Sequence, residues 1–121
     1  MFLGIDYYPE QWPASMLEAD LDNICELGCN AIRIAEFGWH IMEKAEGQYD
    51  FSLFDHVIER AKARGLSIVM GTPTAAIPAW LAKKYPAVLS EFENGAKVLG
   101  ESKIFYCKKR EDCRIRSVRL H

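Results

Sequence analysis

The stretch Ala31-Ile32-Arg33-Ile34-Ala35-Glu36-Phe37-Gly38-Trp39 decides the fold. Ala31 to Ile34 is apolar except for one arginine, the pattern of a short buried strand, and it runs into a loop that sets Glu36 between Ala35 and the aromatics Phe37 and Trp39. An arginine in such a strand is expensive to bury without a partner. Whatever surrounds this strand must supply one.

Upstream, Phe2 to Tyr8 is a short apolar and aromatic run ended by Pro9, which predicts a first buried strand. The loop from Tyr7 to Pro13 concentrates aromatics and hydrogen-bonding side chains (Tyr8, Glu10, Gln11, Trp12), and it reads either as a sugar-binding rim or as a packed loop over the core. Ser15-Met16-Leu17-Glu18 has the S-x-x-E form of a capping box, predicting a helix start there. Leu17, Leu21 and Ile24 recur at helical spacing with Glu18, Asp20 and Asp22 mostly opposite, and Gly28 supplies the left-handed residue that closes a helix.

Downstream, Glu43 to Phe51 is polar with a central glycine and reads as a loop. Phe54, Val57, Ile58 and Ala61 follow i, i+3, i+4, i+7 spacing, so a second helix runs to Gly65, with Arg60, Lys62 and Arg64 complementing its negative end. Leu66 to Met70 predicts a third strand, leading into Gly71-Thr72-Pro73-Thr74. Pro78 opens a short helix through Lys84 and Pro86 stops it. Beyond it, residues 91–100 read as an irregular loop, Ile104 to Tyr106 as a brief extended piece, and the tail has no clear period.

Strands alternating with helices imply an α/β chain with a parallel sheet. Open doubly wound sheets and closed eight-fold barrels both begin this way, but neither GxGxxG after the first strand nor GxxxxGK[ST] anywhere is present. In a barrel, function sits at the C-terminal ends of the strands, where Asp6-Tyr7, Arg33 to Trp39 and Thr72-Pro73-Thr74 would converge. That convergence favours the barrel.

The 121 residues are 50% apolar, 26% charged and 12% aromatic, a globular composition. The net charge of −2 favours neither nucleic acid nor anionic membrane as a partner, and no apolar run reaches the roughly 18 residues of a membrane span. Met1 to Asp6 lacks the basic start and long apolar stretch of a signal peptide, so the expected location is cytoplasmic. Charge is uneven along the chain. Lys108, Lys109, Arg110, Arg114, Arg116 and Arg119 against Glu111 and Asp112 put residues 108–121 at +4, leaving residues 1–107 at −6. Cys25, Cys29, Cys107 and Cys113 lack the spacing of a zinc ribbon and the density of a secreted disulfide scaffold, so reduced thiols are expected.

Four motifs, in order, carry a resemblance. Gly4-Ile5-Asp6-Tyr7-Tyr8-Pro9-Glu10-Gln11-Trp12, Ile32-Arg33-Ile34-Ala35-Glu36-Phe37-Gly38-Trp39, Glu46-Gly47-Gln48-Tyr49-Asp50-Phe51 and Gly71 to Leu81 together resemble the start of the β-galactosidases of glycoside hydrolase family 42. The resemblance implies a retaining (β/α)8 TIM barrel that hydrolyses terminal β-D-galactosides with two glutamates, acid/base and nucleophile, whose carboxyl groups lie roughly 5 Å apart. Those glutamates follow strands four and seven in the family, so they are expected beyond residue 121. A barrel takes about 250 residues, so the chain is expected to be an N-terminal fragment with about the first three strand–helix units, inactive alone.

By the same resemblance, residues 1–107 belong to the catalytic barrel and 108–121 form a divergent basic tail, as a truncation or a change of reading frame would leave. The expected substrate-binding or site-supporting residues are Arg33, beside the nucleophile, Glu36, in a supporting or subsite role, and Lys103, toward galactose hydroxyls. At Lys103 to Cys107, Phe105 replaces the family's usual histidine, and lysine lacks the planar fork of the usual arginine. In some members the cysteine matching Cys107 joins three later cysteines around zinc; with those partners missing and Cys113 alone nearby, no metal and no cofactor are expected. Full-length members are often homotrimers. The alternative reading is a non-catalytic carbohydrate-binding or assembly fragment, or part of another barrel glycosidase. An open three-strand sheet should leave an unpaired edge and an apolar face, which makes the isolated chain prone to aggregation.

Overall fold

A computed structural model describes residues 1–91 and 97–98 of the chain. Its strands are β1 (Gly4–Asp6), β2 (Ala31–Ile34), β3 (Glu43–Ala45), β4 (Gln48–Tyr49), β5 (Ser67–Met70), β6 (Ser90–Glu91) and β7 (Lys97–Val98). Its helices are α1 (Leu17–Glu26), α2 (Trp39–Met42), α3 (Ser52–Ala63) and α4 (Ala79–Lys84), with short 3₁₀ turns between them. These elements fall into two compact units: Met1–Ala35 with Asp50–Gly71, and Glu36–Tyr49 with the described residues from Thr72 onward.

The first unit is a three-stranded parallel sheet in the order β1-β2-β5. Gly4 pairs with Ala31 and Asp6 with Arg33, while Ala31 pairs with Ser67 and Ile34 with Met70. Parallel neighbours need crossovers, and α1 and α3 supply them. Ile32 and Ile34, two residues apart and so on one face of β2, are buried, as are Leu17, Leu21 and Ile24 of α1 and Phe54, Val57 and Ala61 of α3. Those are the apolar positions that the 3.6-residue period selects. Gly28 (φ +80°) and Gly65 (φ +74°) each close a helix in the left-handed conformation.

Two expectations for this unit need correction. β1 is exposed along its whole length rather than buried, and Phe2 remains 77% exposed, because β1 is an edge strand. The capping box does not form either. α1 starts at Leu17 without a side-chain cap, continuing a 3₁₀ turn over Ala14–Met16 in which Pro13 O accepts from Met16 N at 2.9 Å. Glu18 is taken by a different set of donors: Arg60 binds it in a fork (Nε to Oε1 2.6 Å, Nη2 to Oε2 2.9 Å), Arg64 Nη2 lies 2.7 Å from Oε2, and Arg64 Nε lies 2.6 Å from Asp22 Oδ1. Charges read as helix-end complements thus tie α3 to α1.

In the second unit the stretch from Glu43 onward, expected to be a loop, is an antiparallel hairpin of β3 and β4, with Gly47 at φ +77° in its turn. Trp39, Leu81 and Val88 form the buried cluster, with Ile77, Trp80 and Tyr85 packed against it. Pro78 precedes α4 as expected, and Pro86 ends it by starting a 3₁₀ turn through Val88. β6 pairs with β7, Ser90 opposite Val98.

Candidate functional site

In the first unit the C-terminal end of the sheet carries Asp6 and Arg33 side by side in register, with Val69 next on β5. Backbone bonds extend this end past the strands: Tyr7 N donates to Arg33 O at 2.8 Å and Gly71 N to Ile34 O at 2.8 Å. Arg33 is exposed, not buried, because its side of β2 is opposite to the Ile32 and Ile34 face that the helices cover. The desolvation cost expected from the sequence therefore does not arise here. What the register provides is a cationic fork and a carboxylate on one face at the strand ends.

The aromatic loop after β1 divides between its two readings. Tyr7 is buried and donates through its hydroxyl to Asp20 Oδ2 at 3.1 Å; burial above all, and then that bond, push its phenol pKa upward. Trp12 is 54% exposed. Between β1 and α1 lies a groove of about 360 Å³ lined by Ile5, Tyr7, Trp12, Met16, Ile24 and Leu27 among others.

In the second unit Glu36 is half-buried in the turn that precedes α2. The turn is closed by Met42 N and Ile41 N, which donate to Gly38 O at 3.0 and 3.1 Å, and by a 3.1 Å contact between His40 Nδ1 and Phe37 O. Behind it stands Glu43, which the sequence places in a loop but the structure puts at the start of β3. It is 1% exposed, its Oε2 accepts from Trp39 Nε1 at 2.9 Å, its Oε1 from Gly47 N at 2.8 Å, and its main-chain oxygen from Trp80 Nε1 at 2.7 Å. The signal available in the sequence was spacing: Trp39, Glu43 and Gly47 are each four residues apart. Thr72 and Thr74 place their hydroxyls 3.3 Å apart on the loop that leads to α4. At the periphery Lys84 pairs with Glu46, which Tyr85 also reaches at 3.3 Å, and its ammonium is 5.6 Å from the Tyr85 ring.

Lys103, Phe105, Cys107 and Cys113 lie outside the described residues. Among the described residues no group of three or more His, Cys, Asp or Glu is arranged to hold a metal ion. Cys25 and Cys29 are free thiols. No helix among them is long and apolar enough to cross a membrane.

A parallel α/β sheet whose polar groups gather at the C-terminal strand ends is the arrangement of a barrel or doubly wound enzyme. The comparisons narrow this to glycoside hydrolases. The family model for glycoside hydrolase 42, β-galactosidase, matches residues 6–120, and the chain belongs to that family. A β-galactosidase of Clostridium cellulovorans is 44% identical over 97 residues, 80% of this chain and 15% of the relative. One from Thermus thermophilus is 36% identical over 105 residues, 87% of this chain and 16% of the relative. Among solved structures, the β-galactosidase of Halorubrum lacusprofundi matches with a TM-score of 0.88 at 33% identity, covering 99% of this chain and 18% of that one. That of Bacillus circulans sp. alkalophilus matches at 0.90 and 32% identity with the same coverage. The chain thus spans under a fifth of the length of these relatives.

Proposed function

We propose that this chain is the N-terminal portion of the (β/α)8 catalytic barrel of a retaining β-galactosidase, contributing about the first three strand–helix units and inactive alone. The observation that carries this reading is the parallel β1-β2-β5 sheet with Asp6 and Arg33 at its C-terminal end, in a chain 31 to 33% identical to solved β-galactosidases at TM-scores of 0.87 to 0.90. Site residues collect at that end of a barrel. The reaction is hydrolysis of terminal non-reducing β-D-galactose residues, with the acid/base and nucleophile glutamates beyond residue 121.

Within it, Arg33 holds the nucleophile ionised through a charge-assisted hydrogen bond. Glu36 serves a subsite and Lys103 meets galactose hydroxyls. No cofactor is required, no nucleic acid or membrane is engaged, and the location is cytoplasmic; full-length members of the family are often homotrimers. Residues 1–107 form the barrel part and 108–121 a divergent basic tail, although the family match itself runs on to residue 120. Reading the coding DNA in its other frames tests the tail; a family-like continuation in another frame is expected if it is frame-shifted.

The exposed Trp12 supports the second reading, a carbohydrate-binding piece without turnover. A chimera separates the two. Replacing the matching segment of the Clostridium cellulovorans enzyme by this chain yields hydrolysis of a chromogenic β-galactoside on the first reading, whereas a folded chimera that binds galactose without turnover contradicts it.

A further inference from the structure

We propose that Glu43 is a positioning residue that sets the shape of the turn carrying Glu36, and through it the binding of the β-galactoside; this rests on the function proposed above. α2 has only four residues, far below the length at which a helix holds itself in water. It is held by two buried side chains, Met42 and Trp39; Trp39 packs against Leu81 and Val88, and its indole N–H donates to Glu43 Oε2 at 2.9 Å. The other carboxylate oxygen fixes the hairpin turn through Gly47 N at 2.8 Å, and the main-chain oxygen is fastened to α4 through Trp80 Nε1 at 2.7 Å.

These bonds form a continuous chain. α4 and the hairpin hold Glu43, Glu43 holds Trp39, and the first turn of α2 holds Gly38 O and Phe37 O, the residues that follow Glu36. A buried carboxylate is costly to desolvate, and it is retained where two N–H donors must be accepted at once. Glutamine in its place has a single acceptor oxygen and an amide that repels whichever donor it faces. One of the two anchors is then lost.

The test uses the chimera with a galactoside disaccharide as substrate. Glu43→Gln raises KM by roughly tenfold, less than the roughly hundredfold that a misplacement of about 1 Å can cost, with the loss falling on KM rather than kcat. Glu36→Gln raises KM similarly, and the double variant adds little further, because both act through one group. Should E43Q fail to fold, Trp39→Phe removes the indole donor, along with part of the ring's packing against Leu81 and Val88, and the same KM rise with the same non-additivity is expected in the folded variant. Unchanged KM in the folded variants, or fully additive effects, overturns the positioning role while leaving the proposed function standing. A parent chimera that folds without hydrolysing any β-galactoside overturns both.

Discussion

Ala35 occupies the left-handed region at φ +78° with its side chain fully buried, the one non-glycine residue at positive φ among those described. An L-residue there costs about 1–2 kcal/mol, and such strain persists where the surroundings over-determine it. Glycine would relieve the strain but lose a buried methyl and add freedom to the unfolded chain. Ala35→Gly is therefore expected to change the unfolding free energy of the chimera by less than about 1 kcal/mol. Ala35→Val, β-branched and overpacked, should lower it by about 2 kcal/mol or more. Denaturant titration measures both, and a neutral valine would mean that the backbone relaxes at this point. At Arg33, replacement by alanine should reduce kcat of the chimera by roughly a hundredfold, the scale of losing a preorganised donor; an unchanged kcat removes it from the site.

The residues also mark how far the sequence was readable. Arg33 and Glu36 stood out because each breaks an apolar or small-residue run, and register then placed Asp6 beside Arg33. Ala35 gave no sign, since a strained backbone favours glycine and none is present. Glu43 looked like one more loop charge because its acceptors are satisfied by side chains and turns that only folding brings near, Trp80 being 37 positions away.

Among the elements, the pair α1–α3 makes a prediction about pH. Hydrogen bonds from Arg60 and Arg64 hold the Glu18 carboxyl down to about 2 against an ordinary value of 4.5. The folded state thus prefers the ionised form more than the unfolded state does, so the contribution is complete above pH 4.5 and is lost as pH falls toward 2. The gap in melting temperature between parent and Glu18→Gln is expected at neutral pH, shrinks across that window, and narrows in high salt because the side chain is half exposed. A gap independent of pH would assign the effect to packing. α1 and α3 themselves were legible from their apolar period, as was β2. The start of α1 was not, since Ser15 and Glu18 satisfy the capping pattern while Arg60 and Arg64, 42 and 46 residues on, compete successfully for the glutamate.

At the scale of the molecule, the first unit leaves β1 and β5 as edges and leaves Phe2, Leu3, Ile5, Val69 and Met70 exposed. Unpaired edges beside exposed apolar groups invite association, so the isolated chain is expected to aggregate or to melt without cooperativity. A sharp melt of a soluble monomer in scanning calorimetry would contradict this. The parallel α/β sheet was legible from strand–helix alternation, and the family from four motifs in order, because each motif follows or precedes a strand end. The hairpin of β3 and β4 escaped, since its strands of three and two residues are too short for alternation to register.

The most direct test of the central claim is complementation in trans: the 121-residue chain is mixed with the remainder of a family 42 barrel that lacks this segment, and release of the chromophore from an aryl β-galactoside is followed. Hydrolysis that neither piece shows alone, rising with added chain to an equimolar plateau, is the predicted result. A stable complex of the two pieces that releases no chromophore would contradict it.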